Sequence, residues 1–508
     1  MKLKQYITAG CLLAAMGLML PSCMDLEPKA EMADNMVWNK AENFQLFANQ
    51  YYGFLEDHGR WFDNSPEAVH SDYRSDLLAT KTVNAWSQGT NTVPVSDANY
   101  TGNYKNIYYC NLLLKNAAGF GDQAAIRVPV AEAKFFRAYC YFTLVRAFRD
   151  VPFVTEPVID DTDTFEAPQA DPDHIIDFLI DDLKAVEPRA AATYSNKTYT
   201  KSRMTQAAIR ALIADMCLWR GRYGECIEYC DRLLRDANNV FTLVPSMSYS
   251  REVFTTGLSS ETIFELNYNT VNYWNYAVAD FYGEQSQGYA QQIIPYDFKT
   301  GVRQLFGETD LRERTSYYSN SGGGAIVRKY VSYLEGTALT ASSVSSGDYI
   351  RVSPYETKWI VYRLPEIYLM KAEAIVESGG DLQEAFRLAC ISYDRANPEA
   401  GAGSLSFDNY NSTELMLNFI YDERQREFLY EGKRYFDLLR RITHHRDQFR
   451  NLVSTYLAVK YDNLDQSTVS SKLSSYDALY MPINATEMRA NSLLVQNPFY
   501  KQSTNITN

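Results

Sequence analysis

The chain reads as a mostly α protein, built from irregular tetratricopeptide-like helix pairs with a large loop-rich insert containing short strands. Two observations carry that prediction. Apolar residues recur at helical spacing in segment after segment, with glycine where consecutive segments turn back. Between about residues 240 and 360 the period fails, and tyrosine, tryptophan, serine and glycine take over.

The amino terminus is a separate element. Lys2 and Lys4 precede an uncharged apolar run from Ile7 to Leu20. At about 14 residues it is shorter than the ~20 a spanning helix needs, and it matches the apolar core of a secretory leader. Leu20, Pro21 and Ser22 ahead of Cys23 resemble a bacterial lipobox, with Pro21 departing from the usual small or aliphatic residue. The expectation is a leader over residues 1–22 and a mature chain, 23–508, folded as one domain with Cys23 lipidated. A plain leader with an incidental cysteine is the alternative. Two or more acyl chains anchor stably, whereas one is marginal.

The helix pairs follow. "MTQAAIRALIADMCLWRGRY" puts Ile209, Leu212, Ile213, Met216 and Cys217 on one stripe. Gly221 stops that helix, and "YGECIEYCDRLLRDA" starts another after a very short turn. "RLPEIYLMKAEAIVES" repeats the logic with Leu364, Ile367, Tyr368, Ala372 and Ile375 on one face; Gly379 and Gly380 break it, and Asp381 caps the next helix. Further helices are predicted over Glu42–Glu56, Tyr104–Ala118, Val130–Phe148, Ile175–Val186 and Thr413–Leu439, with Gly432 marking a turn in the last. No clean repeat of about 34 residues runs through them, so the pairs are irregular.

The insert is aromatic. Phe264 to Phe298 holds ten aromatics in 35 residues, and Gly336 to Asp348 reads as a flexible loop. Loops this long are functional or disordered, and aromatic ones are poor candidates for disorder. In the whole chain tyrosine (39) outnumbers glycine (25). Tyrosine offers a flat apolar face and a hydroxyl at low entropic cost, which suits binding surfaces as well as cores.

Charge and chemistry narrow the function. Of 49 basic residues Lys2 and Lys4 leave with the leader, so 47 face 62 acidic ones, a net charge of −15. Such a chain is repelled by nucleic acid and by anionic lipid surfaces. Cys110, Cys140, Cys217, Cys226, Cys230 and Cys390 sit beside apolar residues and read as buried thiols, with one disulfide left open. No cysteine or histidine has metal-ligand spacing, so no metal site is expected. The Gly322–Gly324 run lacks the Lys-Ser/Thr of a phosphate loop.

Six blocks in order then resemble one family. They are "SCMDLEP", "AEAKFFRAYCYFTLVRAFRDVPFV" with Arg149 where glycine is commoner, "SETIFEL", "YRLPEIYLMKAEAI", "DERQREFLYEGKRYFDLLR" and "MPINATEMRANSLLVQNPFY". The chain is similar to the RagB/SusD family of Bacteroidetes outer-membrane lipoproteins over nearly its whole length. The resemblance implies a SusD-like fold and a lipid-anchored, cell-surface-exposed protein of the outer membrane. It further implies that the protein binds nutrients, usually oligosaccharides, and sits as a lid on a SusC-like TonB-dependent transporter. Cys23 would carry the lipid, and Asp25 and Glu27 resemble the acidic residues that follow it in surface-exported lipoproteins.

Within these blocks Glu423, Arg424, Glu427, Glu431, Arg434 and Asp437 alternate in charge. Interleaved arginines hold carboxylates ionised, whereas a general acid needs one raised pKa, so the block reads as structural pairing. No catalytic residue and no cofactor is expected; a structural calcium is left open without support in the sequence.

The family's ligand residues lie outside its shared blocks, so candidates rest on chemistry. A sugar's C–H face stacks on an aromatic ring while its hydroxyls seek Asn, Asp, Gln or Arg. Trp219 and Trp359 read as core and Trp38 as ambiguous. Trp61, Trp86 and Trp274 lie in polar loops, where an exposed indole is costly unless it packs or binds. Trp86 and Trp274 lead the candidates, with Tyr273, Tyr289 and Tyr296 extending the platform and Asp72, Arg74, Asn84 and Asn275 as polar rim. The leading expectation is a non-catalytic glycan-binding protein that captures oligosaccharide or polysaccharide for a transporter. The same architecture binding peptides or another nutrient is the alternative, a glycosidase a third, and a bare helical scaffold a fourth.

Overall fold

A computed structural model describes residues 38–57, 71–72, 74–80, 98, 100–159, 166–238, 240–246, 248–268, 274–282, 293–295, 305–319, 325–334, 349–458 and 471–503. Helices dominate it. Two of them, α1 (Ala41–Ala48) and α2 (Gln50–Asp57), replace the single helix expected over residues 42–56, with the break at Asn49. After the short strand β1 (Leu78–Thr80), α3 (Thr101–Ala117) packs along α4 (Ala124–Phe148). The latter begins earlier than expected and carries Pro129 inside its second turn, where proline removes one intrahelical N–H donor.

Strands β2 (Val151–Pro152) and β3 (Gln169–Ala170) form a two-residue antiparallel bridge after α4. Helix α5 (Pro172–Val186) follows; Asp171 caps it by accepting from the Asp173 N–H at 2.8 Å. Beyond the short α6 (Lys197–Ser202), α7 (Gln206–Trp219) and α8 (Tyr223–Leu234) form the predicted hairpin. Gly221 takes φ +69° at the turn, a conformation that costs a Cβ-bearing residue about 1 kcal/mol or more.

The insert is built from antiparallel strand pairs too short for a period of two to be read in sequence. In chain order they are β4 (Thr262–Leu266), β5 (Ile293–Pro295), β6 (Tyr317–Ser319), β7 (Ala325–Val327), β8 (Ser332–Leu334), β9 (Tyr349–Arg351) and β10 (Trp359–Arg363). The pairs are β1 with β5, β4 with β10, β6 with β7 and β8 with β9. Two short helices, α9 (Tyr276–Tyr282) and α10 (Arg312–Ser316), lie among them.

Strand β10 runs directly into α11 (Leu364–Glu377), which pairs with α12 (Leu382–Ala396); Asp381 caps α12 by accepting from the Gln383 N–H at 2.9 Å. The run expected over residues 413–439 is two helices, α13 (Thr413–Glu427) and α14 (Arg434–His444). Gly432, with φ +71°, stands in the turn between them, joined there by Tyr430 at +68°. Helix α8 packs on α11, so successive pairs stack side by side, and α13 lies on both α11 and α12.

Three apolar clusters result. The largest runs from α1 through α4, α5, α7 and α8 to the carboxyl-terminal segment, and takes in Phe135, Phe142, Leu212 and Leu218. A second, with Tyr249, Phe254, Tyr282 and Tyr330, is the insert's own core, and a third fills the space among α11, α12 and α13. Trp219 is buried in the first, and half-buried Trp359 packs against the first and second. All six cysteines after Cys23 are buried free thiols. Among the described residues no helix is long and apolar enough to cross a membrane.

Candidate ligand-binding site

Insert and scaffold are joined by buried charge. Arg363 of β10 and Arg395 of α12 both pair with Glu427, while Arg363 also reaches Glu431 at 2.8 Å and Glu261 at 3.2 Å. Arg312 spans Asp310, Glu423 and Glu427 at 2.7, 2.7 and 2.9 Å, and Lys329 meets Glu431 at 2.6 Å. Burial alone would raise the Glu427 carboxyl; Arg395, Arg363 and Arg312 outweigh it and hold it well below its ordinary range. Arg424 pairs with Asp437 and Arg440 with Glu373, both below 3 Å. These acids are fixed ion-pair partners.

Asp72 and Arg74, expected on a ligand rim, are corrected by their burial: Asp72 is 0% and Arg74 1% exposed. The Arg74 guanidinium donates to the carbonyls of Ala478 and Leu479 at 3.3 and 3.0 Å and lies over the Tyr435 ring. Asp72 accepts the Tyr282 hydroxyl at 2.6 Å, and burial pushes its carboxyl up to about 7 despite that bond. The nearby Asp76 forks with Arg434 at 2.8 Å through both oxygens. The partners of this segment lie 210 to 405 positions further along the chain, so the short charged string looked like surface.

Trp274 is where an exposed aromatic was expected. The residue is 42% exposed, beside Tyr276 at 43%. The two ring centroids lie 5.9 Å apart and tilted by 34°. Tyr355, half-buried, completes a triangle at 5.1 Å from Trp274 and 5.8 Å from Tyr276. Other large apolar residues, such as Leu46 and Val240, are more exposed but stand outside this group, and what sets Trp274 and Tyr276 apart is that their rings cluster. Sequence reading missed Tyr276 and Tyr355. The first could have been taken from the "WNY" string; the second lies far along the chain and carries no local signal.

Asn275 is corrected as well. It is 1% exposed, and all its polar groups face protein. Its Nδ2 donates to the Thr357 carbonyl at 2.8 Å, its Oδ1 accepts from the Val278 N–H at 3.0 Å, and its own N–H donates to the Tyr355 carbonyl at 2.8 Å. Cys23, Trp61, Asn84, Trp86, Tyr273, Tyr289 and Tyr296 lie outside the described residues. Among the described residues no group of three or more His, Cys, Asp or Glu is placed to hold a metal ion.

Stacked helix pairs carrying an insert with an exposed ring cluster define a helical scaffold for binding. Comparison with known proteins gives that class a family. The SusD family model matches residues 187–500, and a model described as "Starch-binding associating with outer membrane" matches residues 24–260. The chain belongs to the SusD family. It is similar to SusD-like protein P38 of Formosa agariphila, 21% identical over 481 residues that cover 86% of this chain and 92% of that protein. Among solved structures, a SusD superfamily protein from Bacteroides thetaiotaomicron superposes with a TM-score of 0.69 at 20% identity, covering 90% of this chain and all of that one. Surface glycan-binding protein A from Bacteroides uniformis gives 0.68 at 21% identity over 91% of this chain. At these identities the superpositions establish the fold.

Proposed function

We propose that the protein is a non-catalytic, lipid-anchored protein of the outer-membrane surface. It captures oligosaccharide or polysaccharide on the rings around Trp274 and delivers it to a SusC-like TonB-dependent transporter. The observation that carries this reading is the triangle formed by exposed Trp274 and Tyr276 with half-buried Tyr355. Aromatic faces take the C–H side of a sugar ring without a charged partner, which fits an acidic protein and a neutral ligand. Membership of the SusD family, the description of the second family model and the name of the Bacteroides uniformis relative point the same way. Burial raises the carboxyls of Asp72, Glu261, Glu265, Glu366 and Asp394, and the first four are buried among protein partners, which favours capture over hydrolysis. Capture needs no cofactor and tolerates modest affinity at each site when many copies share one polymer.

The test is electrophoresis of residues 24–508 through native gels containing soluble starch, laminarin, xylan or yeast mannan. Retardation by at least one polymer, with no reducing ends released by the purified protein, is expected. Release of reducing sugar at a steady rate would instead make it a hydrolase.

A further inference from the structure

The polar residue beside the exposed indole does not face solvent. Asn275 sits between Trp274 and Tyr276, yet its side chain points into the insert and bonds two backbone groups, while its own N–H holds a third. Through Oδ1 it caps α9, and the Ala279 N–H closes the first turn on the Asn275 carbonyl at 3.2 Å. Through Nδ2 it holds the carbonyl of Thr357, and through its N–H the carbonyl of Tyr355, the residue that carries the third ring. Thr357 is anchored in turn: its hydroxyl donates to the Tyr330 carbonyl at 3.0 Å. The Tyr330 hydroxyl donates to the Tyr430 carbonyl at 2.8 Å, beside the buried ion pairs. The far end of α9 is fixed too, by Tyr282 on Asp72.

Two distant segments, 274–276 and 355–357, therefore meet at one residue, through its backbone N–H at Tyr355 and its side chain at Thr357. We infer that Asn275 is a positioning residue: it sets the mutual geometry of Trp274, Tyr276 and Tyr355, and so their affinity for a glycan, without touching the ligand. This rests on the proposed capture function of the ring cluster.

Asn275 acts by preorganising the rings. Rings that must be ordered when a ligand arrives charge that ordering to the affinity, whereas rings already held do not. Hydrogen bonds to a buried carbonyl are also strict about the donor. An aspartate at 275 keeps the acceptor that caps α9, but it loses the donor to Thr357 and sets two oxygens face to face. Substitution Asn275→Asp thus separates the tie between segments from the helix cap.

The experiment compares Asn275→Asp, Asn275→Ala and Trp274→Ala with the unmodified protein in the same four polymer gels. Trp274 emission, obtained by subtracting the spectrum of Trp274→Ala, serves as a second readout. Binding about tenfold weaker in both Asn275 variants is expected, a size set by the ordering of a few side chains. Trp274 emission should shift to the red and lose anisotropy in Asn275→Asp, with far-ultraviolet circular dichroism unchanged. If Asn275→Asp folds, binds as the unmodified protein does and leaves Trp274 emission in place while Trp274→Ala has lost binding, the positioning role is wrong and the glycan site stands. If Trp274→Ala binds normally, or no polymer retards the unmodified protein, the glycan site itself falls and the inference with it.

Discussion

Single residues decide more here than their types suggest. Asp72 is the clearest case. Its folded-state carboxyl sits near 7, above an ordinary value of 3.8, so between roughly pH 4 and pH 7 the folded chain holds a proton that the unfolded chain has released. Stability from this group is therefore full at the acidic end of that window and is lost as pH rises through about 7. Asp72→Asn, which still accepts from Tyr282, should flatten the fall in urea midpoint between pH 5 and pH 7.5; an unchanged slope would contradict the assignment. Gly257 makes a second residue-scale prediction. It has φ +72°, and a Cβ there would stand 2.3 Å from Lys358 Cγ and 2.7 Å from Glu265 Oε1. Gly257→Ala should lower stability by about 2 kcal/mol or more, read from the thermal midpoint, because backbone strain and a clash act together. Nothing in "FTTGLSS" distinguishes this glycine from a flexible one, since its neighbours arrive from β4 and from the segment before β10.

At the scale of elements, the helix pairs were readable because their signals are local. Apolar residues at i, i+3 and i+4, a glycine at each turn and an aspartate at the start of α12 all lie within a few positions of each other. The boundaries that moved have local causes as well: Pro129 reads as a helix boundary although α4 runs through it, and the α1–α2 break at Asn49 has no glycine to announce it. The insert was unreadable in detail because three-residue strands carry no usable period, and each is defined by a partner strand elsewhere. What binds these elements to the scaffold is the α13–α14 turn. Glu427 there accepts from Arg312, Arg363 and Arg395 with no exposure to water. Glu427→Gln should destabilise the protein by about 3–5 kcal/mol, as removing one partner of a buried pair does, seen as an early thermal transition in the insert. A change under about 1 kcal/mol would mean the guanidiniums are satisfied without it.

At the scale of the molecule, the family resemblance and the mostly helical architecture were open to sequence reading, because the shared blocks fall on packed helices and their turns. The candidate site was readable only at Trp274. Its exposure follows from a polar loop context, whereas Tyr355 joins it through a fold contact that no local pattern encodes. The same logic inverted Asp72, Arg74 and Asn275: polar residues beside aromatics look like a ligand rim until long-range partners claim them. The burial of Arg74 on the carbonyls of Ala478 and Leu479 also ties the carboxyl-terminal segment to the start of the chain. Deleting residues 471–508 should therefore expose that guanidinium's site and lower the thermal midpoint, not merely trim a tail.

The central claim is that the three rings capture sugar. The most direct measurement is the dissociation constant for the polymer that retards the protein most, taken for the unmodified chain, Trp274→Ala and Tyr355→Ala by affinity electrophoresis. About a tenfold or greater loss is expected in Trp274→Ala and a clear loss in Tyr355→Ala, with the thermal midpoint of each variant close to that of the parent. Equal dissociation constants for all three proteins would contradict it and move the binding site away from this cluster.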